Sequence, residues 1–112
     1  MKRGEIYYAD LSPSVGAEIN KRRPVLIVSN DANNRASSTV TILPVTSNVS
    51  RVYPFEVLLV TKQSGLPRDS KAVAQQIRTI AKDRLHPGKA GELGRDLMQQ
   101  VDAAIKLHLA LT

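Results

Sequence analysis

The part of this sequence best suited to chemistry is a polar loop, residues 16 to 24, that ends in three consecutive cations, Lys21, Arg22 and Arg23. Pro24 follows them and opens an apolar run. Because a residue before proline is held in extended backbone, Arg23 should be presented from a rigid strand. Its guanidinium could bind two phosphate oxygens and would stay charged at physiological pH. A solvated basic loop is the alternative, and it describes Lys21 and Arg22 better.

A second polar group, Thr46, Ser47 and Asn48, lies where another apolar run stops. Hydroxyl and amide groups at the end of a strand are well placed to contact a ligand. The same side chains also end strands by bonding to nearby backbone. Taken alone, this group is explained adequately as a turn.

Other kinds of site have little support in the sequence. There is no cysteine, which excludes thiolate chemistry and disulfides. His86 precedes a Pro-Gly turn signature, and His108 falls on or near the apolar face of a predicted helix, so neither has a partner at metal-ligand spacing. No glycine-rich phosphate loop is present. We therefore expect neither a metal nor a cofactor.

Short strands are predicted to position these residues. Apolar, β-branched segments bounded by turn residues predict strands at 5–10, 24–29, 39–46, 55–60 and 71–80, the last bent or divided in two. Pro44 within the third segment indicates an edge or a bulge. From residue 95 the apolar period becomes helical. The fold class is thus mostly β with α: one domain, residues 1–112, a small twisted β-barrel with a C-terminal amphipathic helix.

The charge favours a polyanionic partner. The 112 residues carry a net charge of +6, and fourteen of the sixteen Lys and Arg residues lie in residues 1 to 89. Such a positive field concentrates nucleic acid, although a soluble basic surface without a partner is the alternative. No apolar run is long enough to span a membrane. We expect a cytoplasmic protein with no membrane contact.

Taken together and in order, seven blocks of this sequence resemble the MazF/PemK family of toxin endoribonucleases. The blocks are residues 2–11, 16–18 with 23–24, 24–31, 46, 53–57, 68–70 and 76–80, and a final helix follows them. The resemblance covers nearly the whole chain.

The resemblance implies a fold, a reaction and partners. It implies an SH3-like barrel with a C-terminal helix, a homodimer, and a cognate antitoxin whose flexible, acidic C-terminal segment folds onto the toxin. The reaction would be metal-independent cleavage of single-stranded RNA, including mRNA, at short specific sequences. It would leave a 2′,3′-cyclic phosphate and a 5′-hydroxyl, and would inhibit translation and growth.

The resemblance also carries roles to individual positions. Arg23 matches the family's catalytic arginine, Thr46 its catalytic threonine, and Glu18 an acidic residue of the same active-site loop. The residues expected to bind RNA, or to support its groove, are Ala17, Asn20, Lys21, Arg22, Ser47, Asn48, Arg68 and Gln76. Where many members have Gly-Ser-Glu-Gln, this chain has Gly-Ala-Glu-Ile at residues 16–19, which affects the recognised sequence before it affects the chemistry.

Cyclising cleavage assigns different tasks to these groups. Arg23 suits the charge that develops on phosphate oxygens, and it is a poor base because arginine is always protonated. Glu18 could accept the 2′ proton, and Thr46 could donate a hydrogen bond to phosphate or to the leaving oxygen.

Two other functions remain open at the level of sequence. A gyrase-inhibiting toxin of the same fold acts by protein contact, but this chain lacks the tryptophan that such relatives use near the C-terminus. A non-cleaving RNA-binding barrel would need aromatic platforms, and the chain has only four Phe and Tyr residues.

Overall fold

The computed structural model describes all 112 residues, as seven strands, three helices and two 3-10 turns. The strands are β1 (Glu5–Asp10), β2 (Arg22–Ile27), β3 (Thr39–Thr46), β4 (Glu56–Leu59), β5 (Ser70–Val73), β6 (Arg78–Ala81) and β7 (Gly91–Glu92). The helices are α1 (Asp31–Ala36), α2 (Thr61–Ser64) and α3 (Arg95–Leu109), and the 3-10 turns are Ala74–Gln76 and Lys82–Arg84.

The strands form one antiparallel sheet that curls on itself. Its order is β4-β5-β3-β2-β1-β7, and β6 pairs with the first half of β3. The chain after β6 returns to β1, where Leu85 forms a bridge with Ala9 and the His86 N–H donates to the Tyr8 carbonyl at 2.8 Å. The predicted mostly β fold, a small twisted barrel with a C-terminal helix, is confirmed.

The middle strands are buried on both faces, which explains their nearly continuous apolar sequences. Leu26 and Leu43 belong to a cluster of fourteen buried residues between the sheet and α3, here called the helix-side core. Val25 and Ile42 belong to a cluster of seven on the opposite face, here called the barrel core. Because side chains alternate along a strand, each strand supplies both cores.

Helix α3 covers one face of the sheet with a stripe of Leu97, Val101 and Ala104, all buried. The stripe follows the 3.6-residue period that the sequence predicts. His108 lies outside it, exposed, with its ring 6.2 Å from the Phe55 ring. None of the helices is long and apolar enough to cross a membrane.

Candidate functional site

Strand β2 begins and strand β3 ends at the same side of the sheet, here called the site edge. The ladder between these strands ends at the pair of Val25 with Pro44, so Arg23 and Thr46 each lie two residues beyond its last pair. Side chains alternate along each strand, so Arg23 shares a face with Val25 and Thr46 shares it with Pro44. The fold therefore brings Arg23 and Thr46 to one edge, and the alternation along the strands predicts that both side chains leave the sheet on the face of the barrel core.

Arg23 is half-buried in β2, paired with Ala9 of β1, and so has the extended backbone that Pro24 predicts. Its Nε donates to the Asn20 carbonyl at 3.2 Å. The two terminal nitrogens of the guanidinium make no hydrogen bond or ion pair within the chain. The side chain is thus held at its stem, and its charged end remains available to an anion.

Thr46 is half-buried at the end of β3, across from Lys71 of β5. Its Oγ1 accepts a hydrogen bond from the Asn48 N–H at 3.3 Å, so the predicted turn forms here. The hydroxyl hydrogen has no acceptor within the chain and can still be donated to a ligand. Ser47 and Asn48 are exposed, and the Asn48 Oδ1 accepts from the Ser50 hydroxyl at 2.9 Å.

Glu18 is exposed, and its carboxylate is turned toward its own loop. Oε1 accepts from the Val15 N–H at 2.6 Å, while the Glu18 N–H donates to the Val15 carbonyl at 3.2 Å. Glu18 and Ile19 line a hollow of about 310 Å³ together with residues 75–78, and Arg23 and Thr46 do not line it. The structure therefore does not gather Glu18 into one cavity with Arg23 and Thr46.

Gln76 is tied to this loop at both ends of its amide. Its Oε1 accepts from the Ile19 N–H at 2.7 Å, and its Nε2 donates to the Ala17 carbonyl at 3.2 Å. Ile19 packs its side chain against the barrel core, whereas Ala17 is exposed. The loop thus lies over the barrel core, on the face that carries Arg23.

Three arginines meet in a hollow of about 170 Å³ at the site edge. This arginine hollow is lined by Tyr8, Arg22, Arg23, Pro24, Val45, Ser47, Leu66, Pro67, Arg68 and Ser70. The Arg22 guanidinium lies over the Tyr8 ring, 5.0 Å from its centroid. Leu66 and Val45, which also line it, belong to the helix-side core, and Thr46 is not among the lining residues. Arg22, Ser47 and Arg68 are predicted site residues that the fold brings together.

Lys21 and Asn20 complete the cationic turn that leads into β2. Both are exposed, and Lys21 has a left-handed backbone with φ 65°. The Lys21 N–H donates to the Ser12 hydroxyl at 3.1 Å, and its ammonium group has no carboxylate partner. These observations fit the solvated basic loop that the sequence suggests for Lys21.

A buried polar network beneath the 47–55 loop was missed by the sequence analysis. Lys71 Nζ donates to Glu56 Oε1 at 2.8 Å and to the Arg51 carbonyl at 2.7 Å. The Tyr53 N–H and Gln75 Nε2 also donate to the Glu56 carboxylate, at 3.0 and 2.6 Å. Burial alone would raise the pKa of Glu56, but these donors outweigh it and hold that pKa below its usual value. No sequence pattern marks this network, because its members are spread over residues 51 to 75.

The cations of the site edge are not neutralised by nearby acids. The ion pairs of the chain link Arg3 with Asp102, Lys71 with Glu56, and Lys89 with Glu5 and Glu92. No three His, Cys, Asp or Glu side chains lie close enough to hold a metal ion. The site edge is therefore a surface of arginine, hydroxyl and amide groups on which Lys21, Arg22, Arg23 and Arg68 have no carboxylate partner.

Comparison with known proteins gives consistent matches over the whole length. The family model described as PemK-like, MazF-like toxin of type II toxin-antitoxin system matches residues 2–109. The chain is 46% identical to Endoribonuclease MazF9 of Mycobacterium tuberculosis, over 99% of this chain and 98% of that protein. It is 42% identical to Endoribonuclease EndoA of Bacillus subtilis, over 99% and 96%. A mycobacterial endoribonuclease solved in complex with its cognate antitoxin is 28% identical and superposes with a TM-score of 0.81, covering 100% of this chain and 97% of that one.

Proposed function

The chain belongs to the family of PemK-like, MazF-like toxins of type II toxin-antitoxin systems, and from that membership we propose that it cuts single-stranded RNA at the site edge. Its relatives at 46% and 42% identity are endoribonucleases, and so is this chain. The proposal concerns the finer chemistry: sequence-specific cleavage of RNA, mRNA included, without a metal ion, which stops translation and growth.

The proposed reaction is an internal displacement at phosphorus. The ribose 2′-oxygen loses its proton and bonds to the adjacent phosphorus, while the bond from phosphorus to the 5′-oxygen breaks. The leaving oxygen takes up a proton, so the products are a 2′,3′-cyclic phosphate and a 5′-hydroxyl. Charge on the non-bridging oxygens increases in the transition state, and a fixed cation there lowers the barrier.

One observation about Arg23 supports this proposal most directly. Its Nε donates to the Asn20 carbonyl, while its two terminal nitrogens make no hydrogen bond within the chain. A preorganised donor of this kind contributes about 3 to 4 kcal/mol to transition-state stabilisation. Thr46 follows on the same face and can donate its hydroxyl to a phosphate oxygen or to the leaving oxygen. With these two donors the chemistry needs no bound cation.

Glu18 is proposed as the acceptor of the 2′ proton. In the free protein Glu18 Oε1 accepts from the Val15 N–H, and no hydrogen bond within the chain occupies Oε2. The carboxylate therefore keeps acceptor capacity for a hydroxyl.

The arginine hollow is suited to RNA that flanks the scissile linkage. Arg22 and Arg68 can bind flanking phosphates, and Ser47 can donate to sugar or phosphate oxygens. Lys21, Asn20, Asn48 and Ala17 border the same edge and are proposed to contact the strand as it crosses.

Two protein partners are proposed as well. A mycobacterial relative has been solved with its cognate antitoxin, and an acidic, flexible C-terminal segment of such a partner would be attracted to the unpaired arginines at the site edge. A homodimer would place two site edges in one particle. An antitoxin segment on this edge would compete with RNA for the same cations.

The experiment that tests the proposal compares Arg23→Ala with Arg35→Ala on a long single-stranded RNA, with mapping of the ends. Arg35 is an exposed cation in the last turn of α1, away from the site edge, so it controls for the loss of one charge. Arg23→Ala should slow cleavage about 100-fold to 1,000-fold, as removal of one charge-stabilising donor does, and Arg35→Ala should cleave normally. Cleavage should continue in excess EDTA.

A single 2′-deoxyribose at the scissile nucleotide removes the internal nucleophile and should block cleavage. Equal cutting of that RNA and the all-ribose RNA would refute the cyclising mechanism. Retardation of RNA in a gel without fragments would point instead to a binding barrel. Intact, unretarded RNA would leave contact with another protein as the mode of action.

A further inference from the structure

Residues 15–20 form a loop that has few ties to the rest of the chain. Within it, the Val15 and Glu18 groups bond to each other, and Ser14 Oγ reaches the Ile19 carbonyl at 3.4 Å. The hydrogen bonds that tie this loop to residues outside 11–23 both come from Gln76. These two bonds span 59 and 57 positions in sequence, so Gln76 is the polar anchor of the 15–20 loop.

Gln76 is held through its backbone by the strands on either side of it. It ends the 3-10 turn Ala74–Gln76, between β5 and β6, and both of these strands are paired with β3. Its neighbour Gln75 extends to Glu56 instead. The two adjacent glutamines therefore serve different loops, and only the second contacts the 15–20 loop.

The anchor is connected to the guanidinium of Arg23 through very few bonds. Gln76 fixes the Ile19 N–H, and the next residue, Asn20, supplies the carbonyl that receives Arg23 Nε at 3.2 Å. On the other side, Gln76 fixes the Ala17 carbonyl, which precedes Glu18. Movement of the loop would therefore displace both Glu18 and the support of Arg23.

We propose that Gln76 is a positioning residue, which holds the 15–20 loop in place and thereby sets the geometry of Glu18 and Arg23, rather than a residue that contacts RNA. Both polar atoms of its amide bond to the loop, one to the Ile19 N–H and one to the Ala17 carbonyl, so the loop fixes the direction of the side chain. The effect on cleavage rests on the proposed function, whereas the effect on the loop does not.

The first measurement is trypsin cleavage of the native protein after Lys21 and Arg22, at the end of the loop. Cleavage of a native protein follows the population of the open form, so a loosened loop is cut faster. Gln76→Met keeps the length of the side chain but removes both bonds, and should raise the rate about tenfold. Gln76→Glu keeps the acceptor for the Ile19 N–H, so its cleavage rate should lie between those of the wild type and Gln76→Met. Gln75→Met, the matched control, should stay within about twofold of the wild type.

Melting curves of the same variants show whether each is folded, and the trypsin rates are read at a temperature where all are native. An unchanged trypsin rate in a folded Gln76→Met protein would overturn the proposal. Because no RNA is present, this result holds whether or not the proposed cleavage chemistry is right.

The second measurement separates positioning from binding. The probe is a short RNA that spans a mapped cleavage site, with ribose throughout for single-turnover cleavage and with one 2′-deoxyribose at the scissile position for affinity. Gln76→Met should slow the single turnover about tenfold or more while the dissociation constant of the deoxy RNA changes less than about twofold. A large loss of affinity with normal trypsin resistance would mean that Gln76 contacts RNA directly, and would refute the proposal. If the wild type leaves the ribose RNA intact, the proposed function fails and the trypsin result alone decides the role of Gln76.

Discussion

Replacing Lys71 with methionine should destabilise the fold by about 3 kcal/mol, because the substitution leaves a buried carboxylate without its cation. The side chains of Glu56 and Lys71 are only 4% and 11% exposed, and they meet at 2.8 Å. Methionine fills nearly the same space, so the loss comes from charge and hydrogen bonding and not from a cavity. The Lys71 bond to the Arg51 carbonyl is lost at the same time.

The size of the loss in unfolding free energy depends on the hydrogen bonds that Glu56 keeps when Lys71 is replaced. Removing one partner of a buried ion pair costs about 3 to 5 kcal/mol when the other charge is left uncompensated. The carboxylate retains the Tyr53 N–H at 3.0 Å and Gln75 Nε2 at 2.6 Å, which places the cost near the lower end of that range. In a chain of this length, about 3 kcal/mol lowers the melting temperature by roughly 12 °C.

The assay is urea unfolding followed by circular dichroism, with Glu56→Gln and the double variant completing a cycle. Glutamine removes the buried charge, so Lys71→Met should cost much less in that background, with a coupling of about 2 kcal/mol. Lys89→Met is the matched control, since Lys89 meets Glu92 at the same 2.8 Å but both side chains are exposed, and its other partner, Glu5, lies farther away at 3.8 Å. Its unfolding midpoint should barely move, because exposed pairs contribute little.

Equal losses in Lys71→Met and Lys89→Met would refute the reasoning. That outcome would mean that water reaches Glu56 and that the two pairs, alike in distance, are also alike in environment. Additive losses in the double variant would show in addition that the two groups do not interact.

Other predictions concern packing and pH. Gly91→Ala should destabilise the fold by about 2 kcal/mol or more in urea unfolding, because a Cβ there would lie 2.2 Å from the Ser64 carbonyl oxygen. Because the pKa of Glu56 is lowered in the folded state, the ionised carboxylate stabilises the fold fully above its usual pKa of 4.5, and this stabilisation is lost as the pH falls through the lower, folded-state pKa. Glu56→Gln should remove that part of the acid dependence of the unfolding free energy. Burial and the hydrogen bond to Glu5 raise the pKa of Tyr7 to about 12, so a 295 nm titration should show a tyrosinate component near that pH that is absent from Tyr7→Phe. Because the pKa of Tyr7 is raised in the folded state, the protonated phenol stabilises the fold. This stabilisation is complete below the usual pKa of 10.0 and is lost as the pH rises through the folded-state pKa.

The apolar strands were predictable because burial marks them in the sequence, although β2 spans 22–27 instead of the predicted 24–29 and the two-residue strand β7 was not predicted. Residues 39–46 form β3 with the predicted bounds, since an apolar run that supplies both cores can hardly be read otherwise. The extended backbone of Arg23 followed from the proline after it. The strand that carries Arg23 and the strand that ends at Thr46 could therefore be predicted from the sequence, whereas the contacts of these side chains could not.

Helix α1 escaped prediction because polar residues form it. The segment 30–38 reads as turn-rich, but Asn30 caps a short helix by accepting from the Asn33 N–H at 2.8 Å. Asn34 is buried and donates to the Ser29 carbonyl at 2.9 Å. A helix held by side-chain hydrogen bonds shows no apolar period, so hydrophobic patterning does not detect it.

The orientation of Glu18 and the partners of Gln76 were equally beyond the sequence. Both depend on the path of a loop that meets a turn more than fifty positions away. Hydrogen bonds between a side chain and a distant backbone leave no periodic signal in either segment. The resemblance associates Gln76 with the RNA groove or its support, but its two bonds to the loop arise only in the folded chain.

One irregularity in the sheet explains how both loops of the site edge come to depend on the same turn. Strand β3 pairs Ile42 with Arg78 and Val45 with Ala72, so two residues of β3 face five on the other side. The longer side is the segment 73–77, which contains the 3-10 turn Ala74–Gln76, and it faces Leu43 and Pro44, where the sequence predicts an edge or a bulge. From this turn Gln75 reaches the Glu56 network under one loop, and Gln76 reaches the other loop. A regular ladder would direct adjacent side chains to the two faces of the sheet, whereas this turn lets two adjacent glutamines bond to two different loops.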